Sequence, residues 1–232
     1  MATKKAPIDL LNVVANMKES TIEFKQKRLE KLNNKFKVFK QESKSMLEIK
    51  VIEFIEVDLK SIKPLITKSL NEIVQESNAK SALKLIKDGL SDKAFVLLEG
   101  QRDAISLLLL GIALKQGVSD NQVSCFSTFL HSIDLPDTSL EVFKYALFEM
   151  GICFRLGLGI HKSKILALYC LSVSAILGDP DAQFEVANCF LFGIGCNKAK
   201  LEAAKWFRYA IENGKELVGY SWIYKGKYGA IE

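Results

Sequence analysis

Apolar positions along the first third of the chain step at helical intervals. Leu10, Val14, Met17, Thr21 and Phe24 follow one another by 4, 3, 4 and 3 residues. Leu29, Leu32, Phe36 and Phe39 continue by 3, 4 and 3 after a slip. Such spacing places the apolar residues on one helical face and predicts helix from Ile8 to about Ile62. The stretch "MLEIKVIEFIEVDLK" is ambiguous. Leu47, Ile49 and Val51 alternate as in a strand, whereas Leu47, Val51, Phe54 and Ile62 fit a helix. A break is expected between Ser61 and Pro64, because proline disfavours helical geometry in the residue before it.

Beyond this point the texture changes to short helices punctuated by glycine. Segments Ala79–Lys87, Ser91–Glu99 and Arg102–Gln116 each end at a glycine: Gly89, Gly100 and Gly117. Ser119 is placed to cap a helix running to about His131. Thr138 with Glu141 three residues later is the pattern of a capping box ahead of an apolar run. In "GDPDA", Asp179 offers a cap and Pro180 suits the first helical position.

Two stretches then nearly duplicate each other: "FRLGLGIHKSK" from Phe154 and "FLFGIGCNKAK" from Phe190. Overlaid at a period of 36 without insertion, Ala146 meets Ala182, Gly157 meets Gly193 and Gly159 meets Gly195. Ala167 meets Ala203, and Gly178 meets Gly214. Each block reads as helix, Gly-x-Gly turn, helix, glycine. Gly157 and Gly193 fall where the first helix must end, a place that favours a left-handed residue without a Cβ. Ala167, Ala175, Ala203 and Ala210 are small enough for close helix approach. Upstream, Gly111 and Gly117 repeat the spacing of Gly151 and Gly157 at an offset of 40, which predicts an eroded third unit. Downstream, "LVGYSWIYKGKYG" looks like a terminal capping helix.

This pattern resembles the Sel1-like repeat, a relative of the tetratricopeptide repeat. The first unit supplies Ala146, Met150, Gly151, Phe154, Gly157, Gly159, Ile160, Ala167, Ser174, Ala175 and Gly178. The second supplies Ala182, Val186, Ala187, Phe190, Gly193, Gly195, Cys196, Ala203, Trp206, Phe207, Ala210 and Gly214. Cys170 and Leu171 replace the usual Trp-Tyr in the first unit, and both units lack the common Asp after the turn. The resemblance implies an all-α protein. Residues 1–75 lie outside the resemblance and are expected, from their spacing, to form a basic, coiled-coil-like helical region. Residues 79–232 form a short α-solenoid, with repeats at 146–181 and 182–217, an eroded repeat before them and a capping helix after. The resemblance also implies a scaffold or assembly factor rather than an enzyme.

Glycine pairs raise a rival reading as phosphate-binding loops. A dinucleotide fingerprint would need a third glycine at the position of Lys162 and a preceding strand, and neither is there. No G-x-x-x-x-G-K-[ST] occurs. His131, Ser132 and Asp134 are near in sequence only, which is no triad. The five cysteines form no C-x-x-C pair, and His131 and His161 are the only histidines. Neither a disulfide framework nor a metal site is expected, and no cofactor or small-molecule substrate is implied. The start of the chain has no secretory h-region and no Arg- and Ser-rich leader. That favours an intracellular, cytoplasmic protein and leaves leaderless mitochondrial import open.

Charge changes the picture in one place. The formal net charge is +5, and residues 76–232 hold 17 bases and 17 acids, so the whole excess lies in residues 1–75. Lys25, Lys27, Arg28, Lys31, Lys35, Lys37, Lys40 and Lys44 form a basic patch against Glu30 and Glu42. It is either a solvated helix face or an attachment to nucleic acid or anionic membrane.

The repeats hold a second candidate. Their first helices are apolar on the side away from the repeat core, at Tyr145, Phe148, Ile152 and Leu156. The equivalent residues of the next unit are Phe184, Asn188 and Phe192. A helix that is apolar all round is normally covered. This concave face therefore expects an occupant, either the chain's own N-terminal helix or a helix or extended segment of a protein partner. The function this favours is a non-catalytic adaptor, with electrostatic binding through residues 25–44 as the alternative.

Overall fold

The structure is a computed structural model that describes residues 69–117, 122–135 and 138–228, side chains 122–124 excepted. These all belong to one compact unit, residues 68–232. Among the described residues every regular element is helical: α1 (Leu70–Ile73), α2 (Ser77–Lys87), α3 (Ser91–Leu98), α4 (Ala104–Lys115), α5 (Gln122–Asp134), α6 (Leu140–Leu156), α7 (Lys164–Ile176), α8 (Pro180–Phe192) and α9 (Lys200–Glu212). Two 3₁₀ turns, Ser221–Tyr224 and Gly226–Tyr228, follow. The basic patch, the strand-or-helix stretch around Met46–Lys60, the break at Ser61–Pro64 and Ser119 lie outside the described residues.

Each helix packs chiefly on its neighbours in sequence, the contact pattern of a solenoid. Helices α6 and α8 are the first helices of the two 36-residue units and α7 and α9 the second; α4 and α5 pack on each other as a helix pair before them. Short α1 packs on α6, so residues 70–73 belong with the repeats rather than with a region ending at residue 75. The offset of 40 between the first and second units has a simple origin. Helix α6 has 17 residues and α8 has 13, so α6 carries one extra turn at its start.

The core forms where small residues let helices close up. Ala167, Ala175, Ala203 and Ala210 are all fully buried. A Cβ on Gly111 would stand 2.5 Å from the Phe129 ring, and one on Gly151 would stand 2.7 Å from Leu171 Cγ. Phe126 meets Phe154 edge-on at 5.0 Å between ring centroids. Trp206 and Phe207 are fully buried and close the last layer. Polar groups inside are stitched across the units. Ser174 Oγ donates to the Lys144 carbonyl, and Gln183 Nε2 donates to the Ala175 carbonyl. Asn213 Nδ2 in turn donates to Gln183 Oε1. Helix α4, the most apolar run, is buried along most of its length. No helix among the described residues is long and apolar enough to cross a membrane.

Two sequence expectations are corrected. The cap of α6 is Ser139, whose hydroxyl accepts from Val142 N–H at 3.3 Å, not Thr138. Thr138 Oγ1 instead donates to the carbonyls of Ser132 and Leu135, closing the end of α5. The chain after α9 is not an α-helix. Gly219 and Gly226 take positive φ of 87° and 53°, leaving six residues between them, too few for a packed α-helix. The 3₁₀ turns still cover the end of the core. Ile223 is fully buried, and Arg208 Nη1 donates to the carbonyls of Ile223 and Tyr228.

Candidate protein-docking face

The Gly-x-Gly turns set where each first helix stops. Gly157 and Gly193 end α6 and α8 in the left-handed region, at φ 82° and 75°. Their N–H groups donate to the carbonyls of Cys153 and Cys189, and the next residue's N–H does the same. Each turn closes with a second equivalent bond: Ser163 N–H to Phe154 C=O, and Ala199 N–H to Phe190 C=O. Gly159 and Gly195 also take positive φ, 68° and 71°. Gly195 has a further role, because a Cβ there would lie 2.2 Å from the Lys164 carbonyl oxygen. The turn of one unit is thereby seated against the start of α7 in the unit before. No phosphate-binding role is needed for either pair.

With the helix ends fixed, the face carried by α6 and α8 is graded. Ile152 is buried, Tyr145, Phe148, Phe184 and Asn188 are half-buried, and Leu156 and Phe192 stand 55% and 59% exposed. Part of the expected groove is filled by the chain itself. Tyr145 is hydrogen-bonded to the backbone of Leu70 in α1. Phe184 lies 5.6 Å from the Phe207 ring and 6.1 Å from Tyr220, with Lys215 Nζ 5.7 Å over its own ring. Phe184 therefore belongs to the C-terminal aromatic cluster. Leu156 and Phe192 are the open ends of the face.

A charged ladder, absent from the sequence reading, borders this face. Lys115 of α4 pairs with Glu149 of α6. Arg155 of α6 pairs with Glu185 of α8 through its Nη1 and Nη2, at 2.5 and 3.3 Å. Glu149 and Glu185 are repeat equivalents 36 residues apart, and Lys115 and Arg155 share the offset of 40. The same acid–base step thus joins each first helix to the next, and it ends at Leu191, where a third base would stand. Its signal was present in the overlay as Glu149 over Glu185.

Buried ionisable groups cluster behind it. Burial raises the Glu149 carboxyl, and Lys115 acts against that rise. Burial pushes Asp179 up to about 6, although it accepts from the N–H groups of Asp181 and Ala182 as the cap of α8. Its other carboxylate oxygen is buried without a hydrogen bond. Burial lowers Lys144, whose Nζ sits 4.5 Å over the Tyr145 ring, and raises Tyr145 to about 12. Asp179 caps the start of α8, and Lys144 and Tyr145 stand in the early turns of α6. His131 and His161 are exposed. Among the described residues no three potential ligands gather to hold a metal ion. The cysteines described are free thiols, with Cys125 Sγ 4.0 Å from Cys153 Sγ.

The family pattern described as Sel1 repeat matches residues 144–179 and 180–215. These two units are Sel1 repeats. Their bounds keep the 36-residue period and fall two residues before those read from the sequence, at the turn where α6 outruns α8. A 97-residue stretch, 41% of the chain, is 36% identical to Protein DSF2 of Saccharomyces cerevisiae. An 83-residue stretch, 35% of the chain, is 37% identical to Mitosis inhibitor nif1 of Schizosaccharomyces pombe. The matches cover 13% and 12% of those proteins, so the chain spans about an eighth of the curated relatives' length. The crystal structure of a Sel1 repeat protein from Oxalobacter formigenes is similar at 23% identity and TM-score 0.49, over 60% of this chain and 55% of that one. Sel1 repeats are protein-interaction modules.

Proposed function

We propose that this chain is a non-catalytic adaptor that docks a protein partner on the ends of the first helices of its Sel1 repeats. It acts inside the cell, where its cysteines stay reduced. The observation that carries this is the matched exposure of Leu156 and Phe192, two large apolar side chains at one repeat position, each just before the glycine that ends its helix. Single exposed apolar residues are ordinary on a protein surface. Two at the same repeat position make a regular row, which scattered surface residues do not. They border the half-buried Phe148 and the buried Ile152, so a partner would extend an existing apolar layer. Each exposed side chain that a partner covers contributes about 1.5–3 kcal/mol.

The test compares affinity purification of the tagged full chain with that of Leu156→Glu/Phe192→Glu. Both positions are exposed, so the variant should keep its helical circular dichroism and melting temperature. The expected result is a defined set of proteins held by the parent and lost from the variant. Equal recovery by both would remove this face as the docking site. Phe184→Asp is a poor probe, because it would break the packing on Phe207 and Tyr220.

A further inference from the structure

A second row of exposed apolar residues runs beside the first. Ile165, near the start of α7, is 45% exposed, and Leu201, near the start of α9, is 41% exposed. They too are 36 residues apart. Leu156 and Ile165 flank one Gly-x-Gly turn, and Phe192 and Leu201 flank the next. All four therefore lie along the edge of the solenoid where first helices turn into second helices. Between them stand Lys162, Lys164, Lys198 and Lys200, again in two equivalent pairs and all exposed. Residues 157–165 and 193–201 contain no acid. Lys162, Lys164 and Lys198 make no ion pair among the described residues, whereas Lys200 sits over the rings of Trp222 and Tyr228 at 4.8 and 5.2 Å. The repeat core does not require this composition. Nothing in the turn geometry asks for lysine, and apolar residues at helix ends would fold as well if they were polar.

We infer that this edge is a docking strip for an extended acidic peptide segment that carries apolar residues among its acids. The inference rests on the docking reading above and adds the chemistry of what docks. Sign follows from the lysines: three unpaired cations with no acid among them favour a carboxylate-rich partner and repel a basic one. A basic segment, such as residues 25–44, carries the wrong charge. Apolar side chains of the segment would cover Leu156 and Ile165 in one unit and Phe192 and Leu201 in the next, with acids between them reaching the lysines. An anionic membrane fits less well. Here the apolar residues stand singly at helix ends rather than on the one broad apolar face that lies in a lipid interface.

The experiment selects a display library of random peptides, about twelve residues long and so about 40 Å when extended, against the immobilised full chain. The expected yield is rich in Asp and Glu with apolar residues among them. Selected peptides should bind Lys162→Glu/Lys198→Glu at least about tenfold more weakly, and Lys162→Gln/Lys198→Gln by an intermediate amount. They should bind Lys93→Glu, an exposed lysine on α3, as tightly as the parent. Neutral or basic peptides in the yield, or undiminished binding to the double Glu variant, would overturn the proposal. So would sedimentation with phosphatidylserine vesicles that depends on Lys162 and Lys198 when no acidic peptide is selected. The two levels separate in the affinity purification. If Leu156→Glu/Phe192→Glu loses partners that Lys162→Glu/Lys198→Glu keeps, docking stands and the acidic-segment proposal falls. If both variants keep every partner, docking falls as well.

Discussion

Replacing Gly195 by alanine tests whether the second glycine of each turn serves close packing or only backbone geometry. The comparison is Gly214→Ala. Both glycines have positive φ, 71° and 93°, so both variants place an L-residue in the left-handed region. That costs about 1–2 kcal/mol and is offset by about 0.4–1 kcal/mol through the less flexible unfolded chain. At Gly214 nothing lies within 4 Å of the new Cβ, so the net loss should be about 1 kcal/mol or less. At Gly195 the Cβ would meet the Lys164 carbonyl oxygen at 2.2 Å, its carbon at 2.8 Å and Leu168 Cβ at 3.2 Å. Two of these are backbone atoms in the first turn of α7, which cannot rotate away. Overpacking of this kind adds about 1–3 kcal/mol, giving about 3 kcal/mol in all. For a chain of this size that is a fall in melting temperature of roughly 6–12 °C, against a few degrees at most for Gly214→Ala. Urea unfolding followed by far-UV circular dichroism measures both, with the slope showing whether the unfolding unit has changed. Equal losses in the two variants would refute the packing argument and leave Gly195 as a turn residue alone.

Two further outcomes follow from the overlay and from the buried carboxyl. Ala199 occupies the place of Ser163 with similar extended φ, −146° against −141°, yet only Ser163 accepts a hydrogen bond, from Leu166 N–H. Ala199→Ser should therefore cap α9 and stabilise the protein by about 0.5–1 kcal/mol in the same urea assay; no gain would mean the turn holds the hydroxyl away from Glu202 N–H. Asp179 titrates near 6 in the folded protein and near 3.8 unfolded, so the folded state holds its proton more tightly. Its stabilising contribution is full below about pH 4 and is lost as pH rises through 6, a change of up to about 3 kcal/mol. Asp179→Asn keeps a cap acceptor and removes the titration, so its stability should fall less than the parent's between pH 4 and 6. Glu149 remains in both proteins, and identical pH profiles would show that Asp179 is not the group responsible.

What could be read from the chain follows from which interactions are local. The glycine-ended helices, the start at Asp179 and Pro180, and the small residues at Ala167 and Ala203 are constraints within one turn or one helix pair. Thr138 was misread because two hydroxyls stand side by side, and which one caps α6 depends on whether the end of α5 needs the other. The last helix was misread because a capping helix was expected after the final repeat, while Gly219 and Gly226 cut the segment into turns held by Arg208. In the candidate docking face, the sequence marked the apolar set but could not grade it. Phe184 and Phe192 look alike in the pattern. One is covered by Tyr220 and the other is open, because only Phe184 lies beside the returning C-terminal segment.

By itself the sequence determined the repeat. A fixed period of 36 with glycine at the same two places leaves the backbone little choice, since each helix pair must end and turn alike. Only the tertiary structure decided what the repeat presents. The ladder of Lys115–Glu149 and Arg155–Glu185 exists because stacking brings residues 30 or more apart within bonding distance. The exposure of Leu156, Ile165, Phe192 and Leu201 is decided the same way, since whether an apolar side chain is core or surface depends on what the next unit lays over it.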